Sequence, residues 1–157
     1  MQTVDVYIGT DLRGPARGTG RVMYAMWTKL KNGSEKESKR IAEFDNTTES
    51  GLVLRGIWDA LQRLNFACSV VIHTECTYVA ASIENHWPEA WQENSWRNSK
   101  GKEIKDALIW GMIMQELEES GHEITVQTGK HTWSHWMYWD IPLEKAIKDT
   151  FIEIKNK

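Results

Sequence analysis

Ala67-Cys-Ser-Val-Val-Ile-His-Thr74 is a continuous apolar run, the pattern of a strand covered on both faces. What precedes it makes it decisive. Asn46-Thr-Thr48 offers the side-chain oxygens that cap a helix N-terminus, and Val53, Ile57, Ala60, Leu61 and Leu64 follow at helical spacing. A buried strand reached through a helix suggests a parallel partner, and the first strand of the chain is the candidate. The expected fold class is therefore mixed α/β.

Upstream, Val4, Val6 and Ile8 alternate with Asp5 and Tyr7, a strand that ends before the turn residues Gly14-Pro15 through Gly18-Thr-Gly20. A second strand is expected from Arg21 to Thr28, and a third from Ser38 to Phe44 beyond the polar link Lys31-Asn-Gly-Ser-Glu-Lys-Glu37. These strands read as an antiparallel meander. Downstream, a short helix should follow Glu75 and a longer one should span Lys102 to Glu118. Glu123 to Thr128 reads as a fifth strand, and Pro142 suits the first turn of a last helix. No repeat, low-complexity tract or long linker divides the sequence, so residues 1–157 are expected to form a single domain.

A chain of 157 residues can bury a core without disulfide or metal staples. Cys68 and Cys76 have neither metal-ligand spacing nor the look of a disulfide framework, and are expected as free thiols in a reducing cytoplasm. The start Met-Gln-Thr-Val-Asp5 lacks an apolar leader, and no stretch approaches the roughly 20 apolar residues that cross a bilayer. A cytoplasmic location without membrane insertion is the expectation, and nothing demands more than a monomer. With a net charge of −3, attraction for phosphates has to come from local clusters. Arg13, Arg17 and Arg21 in the Gly-rich turn form one, and Arg97, Lys100, Lys102 and Lys105 form another, although each reads equally well as a solvated loop.

The second cluster follows three tryptophans, Trp87, Trp91 and Trp96. Taken alone, they are an amphipathic helix with buried aromatics; joined to a basic arm, they suggest a protein that handles nucleic acid. The acids point the same way. Glu49 lies on the inward stripe of its helix, where a carboxylate wants a metal or a cation. Glu75 ends the buried strand and Asp11 ends the first, and ligands gather beyond the carboxyl ends of strands in such sheets. Asp140 and His131 could reach the same rim. Each acid could instead cap a helix or bond its own turn. If they converge, carboxylates in a dry pocket need hard divalent cations, Mg²⁺ or Mn²⁺ rather than zinc.

Taken together these residues resemble the ribonuclease H family, type 1. Asn46-Thr-Thr-Glu49 before an amphipathic helix is similar to its second catalytic segment, and Val71-Ile-His-Thr-Glu75 to its strand-ending third acid. The three tryptophans with Gly101-Lys102 and Ile104-Lys105 resemble the substrate handle of bacterial members. Gly129-Lys-His131 and then Asp140 resemble the catalytic histidine and fourth acid. The resemblance implies a five-stranded mixed sheet in the order 3-2-1-4-5 flanked by helices, and cleavage of the RNA strand of RNA/DNA hybrids. Two ions about 4 Å apart would be held by Asp11, Glu49, Glu75 and Asp140. His131 would relay protons. Lys100, Lys102 and Lys105, with Arg97, would grip DNA phosphates, the tryptophans would support that arm by packing, and Asn46 would lie near the minor groove.

The sequence departs from the family pattern in three places. Aligning the first strand by alternation puts Gly9 at the leading acid, whereas aligning by the Thr-Asp pair gives Asp11. Glu75 stands where the family has Asp, and the added methylene would shift a carboxylate by about 1 Å, costing on the order of a hundredfold in rate and favouring Mn²⁺. The His131 loop carries Lys130 and Trp133, Trp136 and Trp139. Two functions follow as expectations: a ribonuclease H with weakened or Mn²⁺-biased activity, or a relative that kept the fold and the handle, lost turnover, and serves in binding.

Overall fold

The computed structural model of the 157-residue chain describes residues 1–129. In order they form β1 (Gln2–Thr10), β2 (Gly18–Lys29), β3 (Glu35–Thr47), α1 (Glu49–Gln62), β4 (Cys68–Thr74), α2 (Thr77–Glu84), α3 (Trp87–Glu93), α4 (Ala107–Ser120) and β5 (Glu123–Thr128). The strands make one sheet in the order β3-β2-β1-β4-β5. β1, β2 and β3 pair antiparallel, while β4 runs parallel to both β1 and β5. This is the expected mixed sheet, and the pairing of Tyr7 with His73 brings the carboxyl ends of β1 and β4 side by side.

Alternation decides which face is covered. Val4, Val6 and Ile8 of β1, Val22 and Tyr24 of β2, and Val70 and Ile72 of β4 are all buried in one core with Leu54, Ile57 and Leu61 of α1. The helix can lie this close because Gly56 faces the sheet: a Cβ there would stand 3.2 Å from Val22 Cγ2 and 3.5 Å from Ile8 Cγ2. α4 packs against α1 and adds Ile109, Trp110 and Ile113 to the same core. On the opposite sheet face, His73 Nε2 is 2.8 Å from Asp5 Oδ1 and stacks on Tyr7 with ring centroids 4.1 Å apart.

Element boundaries differ from the sequence expectation in two respects. The strands of the meander extend further at both ends, because paired strands continue through polar residues once neighbours satisfy their backbone. α4 starts at Ala107 and not at Lys102, since Asp106 sits at φ 60°, a left-handed conformation that no helix continues through. The last helix, expected at Pro142, lies outside the described residues. Among those described, no helix is long and apolar enough to cross a membrane.

Candidate active site

The β3–α1 junction sets the first acid. Thr48 caps α1, its Oγ1 accepting the Gly51 amide at 3.2 Å, so Glu49 becomes the first helical residue. A Cβ on Gly51 would meet Thr47 Oγ1 at 2.7 Å, which keeps this turn free of any larger residue. The Glu49 side chain is largely buried; its Oε1 accepts the Gly14 amide at 3.0 Å and its Oε2 lies 3.7 Å from Arg13 Nη1. Glu75, just past β4, lies with Oε2 3.6 Å from Arg13 Nη2. Two acids from separate elements thus meet at one guanidinium. Arg13 is further anchored by donating to Thr10 Oγ1 at 2.5 Å.

Asp11 faces elsewhere. Its Oδ1 accepts the Arg21 amide and its Oδ2 accepts Arg21 Nε, both at 2.6 Å, and its own amide donates to the Arg21 carbonyl at 3.2 Å. Gly9 pairs with Met23 inside the ladder. Among the described residues, no three of His, Cys, Asp and Glu stand close enough to hold a metal ion together. His131 and Asp140 lie outside the described residues.

The sequence grouped Arg13, Arg17 and Arg21 as a phosphate cluster, and the structure engages each with its own chain. Arg13 takes the two acids, Arg21 takes Asp11, and Arg17 Nη1 donates to the Asn46 carbonyl at 3.0 Å. Asn46 is exposed and holds φ 50°, a left-handed conformation that Asn tolerates. Cys76 is buried beside this rim. Burial pushes its thiol above the ordinary value, the Val79 backbone amide opposes that, and the Glu49 charge adds to it.

The basic arm is built as a turn. Asn98 Oδ1 accepts the amides of Lys100 and Lys102 at 2.9 and 3.0 Å, a bridge joins Arg97 to Glu103, and Arg97 Nη1 donates to the Gly101 carbonyl at 3.0 Å. Lys100, Lys102 and Lys105 are exposed, and Lys105 Nζ lies 5.5 Å over the Tyr78 ring. The tryptophans lie beneath. Trp91 meets Trp110 edge-on with centroids 6.0 Å apart, Trp96 rests on Gly111, and Trp87 remains 42% exposed. The link between arm and acids is a residue the sequence reading missed: Asp106 Oδ2 accepts Ser50 Oγ at 2.8 Å, tying the start of α4 to the start of α1. The sequence reading places Asp106 inside the helix; it instead stands at the N-cap position of α4 and makes no side-chain cap bond there.

Comparison with known proteins adds the following. A family model described as RNase H matches residues 9–131. Ribonuclease H of Nitratidesulfovibrio vulgaris strain DP4 is 32% identical over 119 residues, covering 73% of this chain and 70% of that protein. Ribonuclease H of Caldicellulosiruptor saccharolyticus is 30% identical over 74 residues, 47% of this chain, and the match spans about half, 51%, of that relative's length. Among solved structures, LC9-RNase H1, described as a type 1 RNase H with the type 2 active-site motif, aligns with a TM-score of 0.67. It is 17% identical across 95% of this chain and 70% of that one, a likeness of fold.

Proposed function

The chain belongs to the ribonuclease H family, and from that premise we propose that it binds RNA/DNA hybrids and hydrolyses the RNA strand, working as a monomer in the cytoplasm. One observation carries the reading: Glu49 and Glu75 aim their carboxylates at a single positive charge. The donor set suits a hard divalent cation, with Arg13 as its stand-in, because carboxylate oxygens from two elements already surround a cation. Glu49 and Glu75 would hold Mg²⁺ or Mn²⁺, two ions in all, joined by Asp140 and by Asp11 once it exchanges Arg21 for metal. The chemistry such ions would supply there is Lewis-acid activation of a water and charge stabilisation at a leaving oxygen.

The chain's own residues do the rest. The Gly14 amide fixes the Glu49 carboxylate toward the rim, so that one oxygen stays oriented. Lys100, Lys102, Lys105 and Arg97 carry the phosphate contacts of the hybrid, and Trp91 and Trp96 hold that arm against α4. Trp87, more exposed, meets Trp91 with ring centroids 6.2 Å apart. Asn46, exposed beside the acids, would read the minor groove, where 2′-hydroxyls mark RNA. His131 would accept and return protons and help product depart.

A gel assay on a labelled RNA/DNA hybrid tests this, with Mg²⁺ and Mn²⁺ supplied separately. The RNA strand should be cut, and cutting should vanish in Glu49→Gln. A second reading is favoured by the ion pair that holds Asp11 on Arg21: a hybrid-binding protein without turnover. Hybrid that binds but is not cut in either metal would establish that reading instead.

A further inference from the structure

Arg13 is the charge at the centre of the acid pair, and the hydrolytic reading gives it no task. We infer that Arg13 is a built-in competitor for divalent metal: Glu49 and Glu75 can hold the guanidinium or an ion, but not both. The consequence for catalysis rests on the proposed function; the competition itself needs only the two acids.

The geometry describes a cation that is seated but not locked. Its distances to the carboxylates, 3.7 and 3.6 Å, exceed those of hydrogen-bonded ion pairs, and the Arg13 side chain is 57% exposed. Among the described residues its one short contact is to a neutral hydroxyl, Thr10 Oγ1. An ion bound to the same oxygens would sit about 2.0–2.6 Å from them, and like charge would expel a guanidinium from that place. Departure of Arg13 would not unmake the site, because the Gly14 amide holds Glu49 Oε1 independently of the Arg13 side chain. A phosphodiester offers the released fork a better partner, since guanidinium matches phosphate in a bidentate manner. Nucleic acid arriving at the rim would therefore open the acid pair to metal.

The test is a titration of the full-length chain with Mn²⁺, followed by the electron paramagnetic resonance signal of the free ion. A guanidinium in place about nine-tenths of the time weakens the ion about tenfold, so Arg13→Gln should bind Mn²⁺ about tenfold more tightly than the unaltered chain. Arg13→Lys, a point charge that cannot span both acids, should fall between them. Arg17→Gln removes the same charge from the same turn at a residue that engages no acid among those described, and should change affinity less than about twofold. Circular dichroism confirms that each variant is folded.

Equal affinity in Arg13→Gln and the unaltered chain overturns the inference. So does an equal gain in Arg17→Gln, which would reduce the effect to net charge, and so does Mn²⁺ bound by neither. The hybrid assay run alongside separates the two claims. Tighter Mn²⁺ binding in Arg13→Gln without cleavage by any variant keeps the competition and removes the hydrolytic reading. Cleavage by the unaltered chain, with Mn²⁺ affinity unmoved in Arg13→Gln, does the reverse.

Discussion

Asp11 and Arg21 close the open end of the β1–β2 ladder by a reciprocal grip: the Arg21 amide and Nε each donate to the Asp11 carboxylate at 2.6 Å, and the Asp11 amide returns a bond to the Arg21 carbonyl at 3.2 Å. The Asp11 carboxylate is thus committed to a turn. On the proposed hydrolytic reading, where Asp11 as the acid at the end of β1 would hold metal, its release from Arg21 is what separates an enzyme from a binding protein.

Asp11→Asn and Arg21→Gln break the same grip and differ in what they leave behind. Each should cost about 1 kcal/mol of stability, since both side chains are partly exposed. Under the hydrolytic reading, Asp11→Asn cuts hybrid cleavage by at least about a hundredfold with affinity nearly unchanged, whereas Arg21→Gln keeps it. Persistent cleavage in Asp11→Asn would mean that Asp11 is a turn clamp and nothing more.

Glu75→Asp shortens the third acid by one methylene and withdraws it from Arg13. If the longer side chain misplaces a carboxylate by about 1 Å, the variant should gain Mg²⁺-dependent cleavage by roughly tenfold and lose its bias toward Mn²⁺. The check is the ratio of initial rates in the two metals. An unchanged ratio would put the metal preference somewhere other than Glu75.

The meander, the capped helix and the buried strand were legible because periodicity and capping are local: Val4, Val6 and Ile8 declare their face within a single strand, and Thr48 its cap within one turn. Glu49 and Glu75 were legible as members of a wider convergence, Glu49 from the inward stripe of its helix and Glu75 from the end of the buried strand, whereas Asp11, expected to join them, is held by Arg21. Arg13 was not legible. In sequence it is one of three arginines in a Gly-rich turn, and only the tertiary path of that turn turns its charge inward to the acids. The start of α4 was missed for a similar reason, since a helix-compatible pattern runs through Asp106 while its contact with Ser50, far away in sequence, accompanies a left-handed backbone there.

The basic arm should act through charge and the tryptophans through packing. Replacing Lys100 or Lys102 by Ala should weaken hybrid binding uniformly across sequences and lower the salt slope of log K by about 0.9 for each phosphate left unneutralised. Trp91→Ala removes a half-buried ring from its edge contact with Trp110 and should cost about 3 kcal/mol of stability. Fluorescence anisotropy over a range of salt, with thermal melts of the same samples, separates the two. A lysine variant with an unchanged slope would take that residue off the nucleic acid.

Tyr24 gives the core a pH dependence whose sign can be fixed. It is fully buried, donates to Asp59 Oδ2 at 2.6 Å and accepts from Arg63 Nη1 at 3.0 Å, while Arg40 Nη1 donates to the same Asp59 oxygen at 3.1 Å. Burial first, and then the Asp59 charge and hydrogen bond, push its phenol above the ordinary value, with Arg63 opposing. Below about pH 10 the phenol is protonated in both folded and unfolded chains, and its stabilising bonds are fully present. As pH rises further the unfolded chain gives up the proton while the fold must keep it, so stability falls. Tyr24→Phe should therefore be less stable by about 1–3 kcal/mol near pH 7, because Asp59 loses a buried donor, yet should lose less on going to about pH 10.5. The two proteins differ only at residue 24, so the difference between the two alkaline slopes, measured by denaturant unfolding, isolates Tyr24. Parallel slopes would show that the phenol does not carry this dependence.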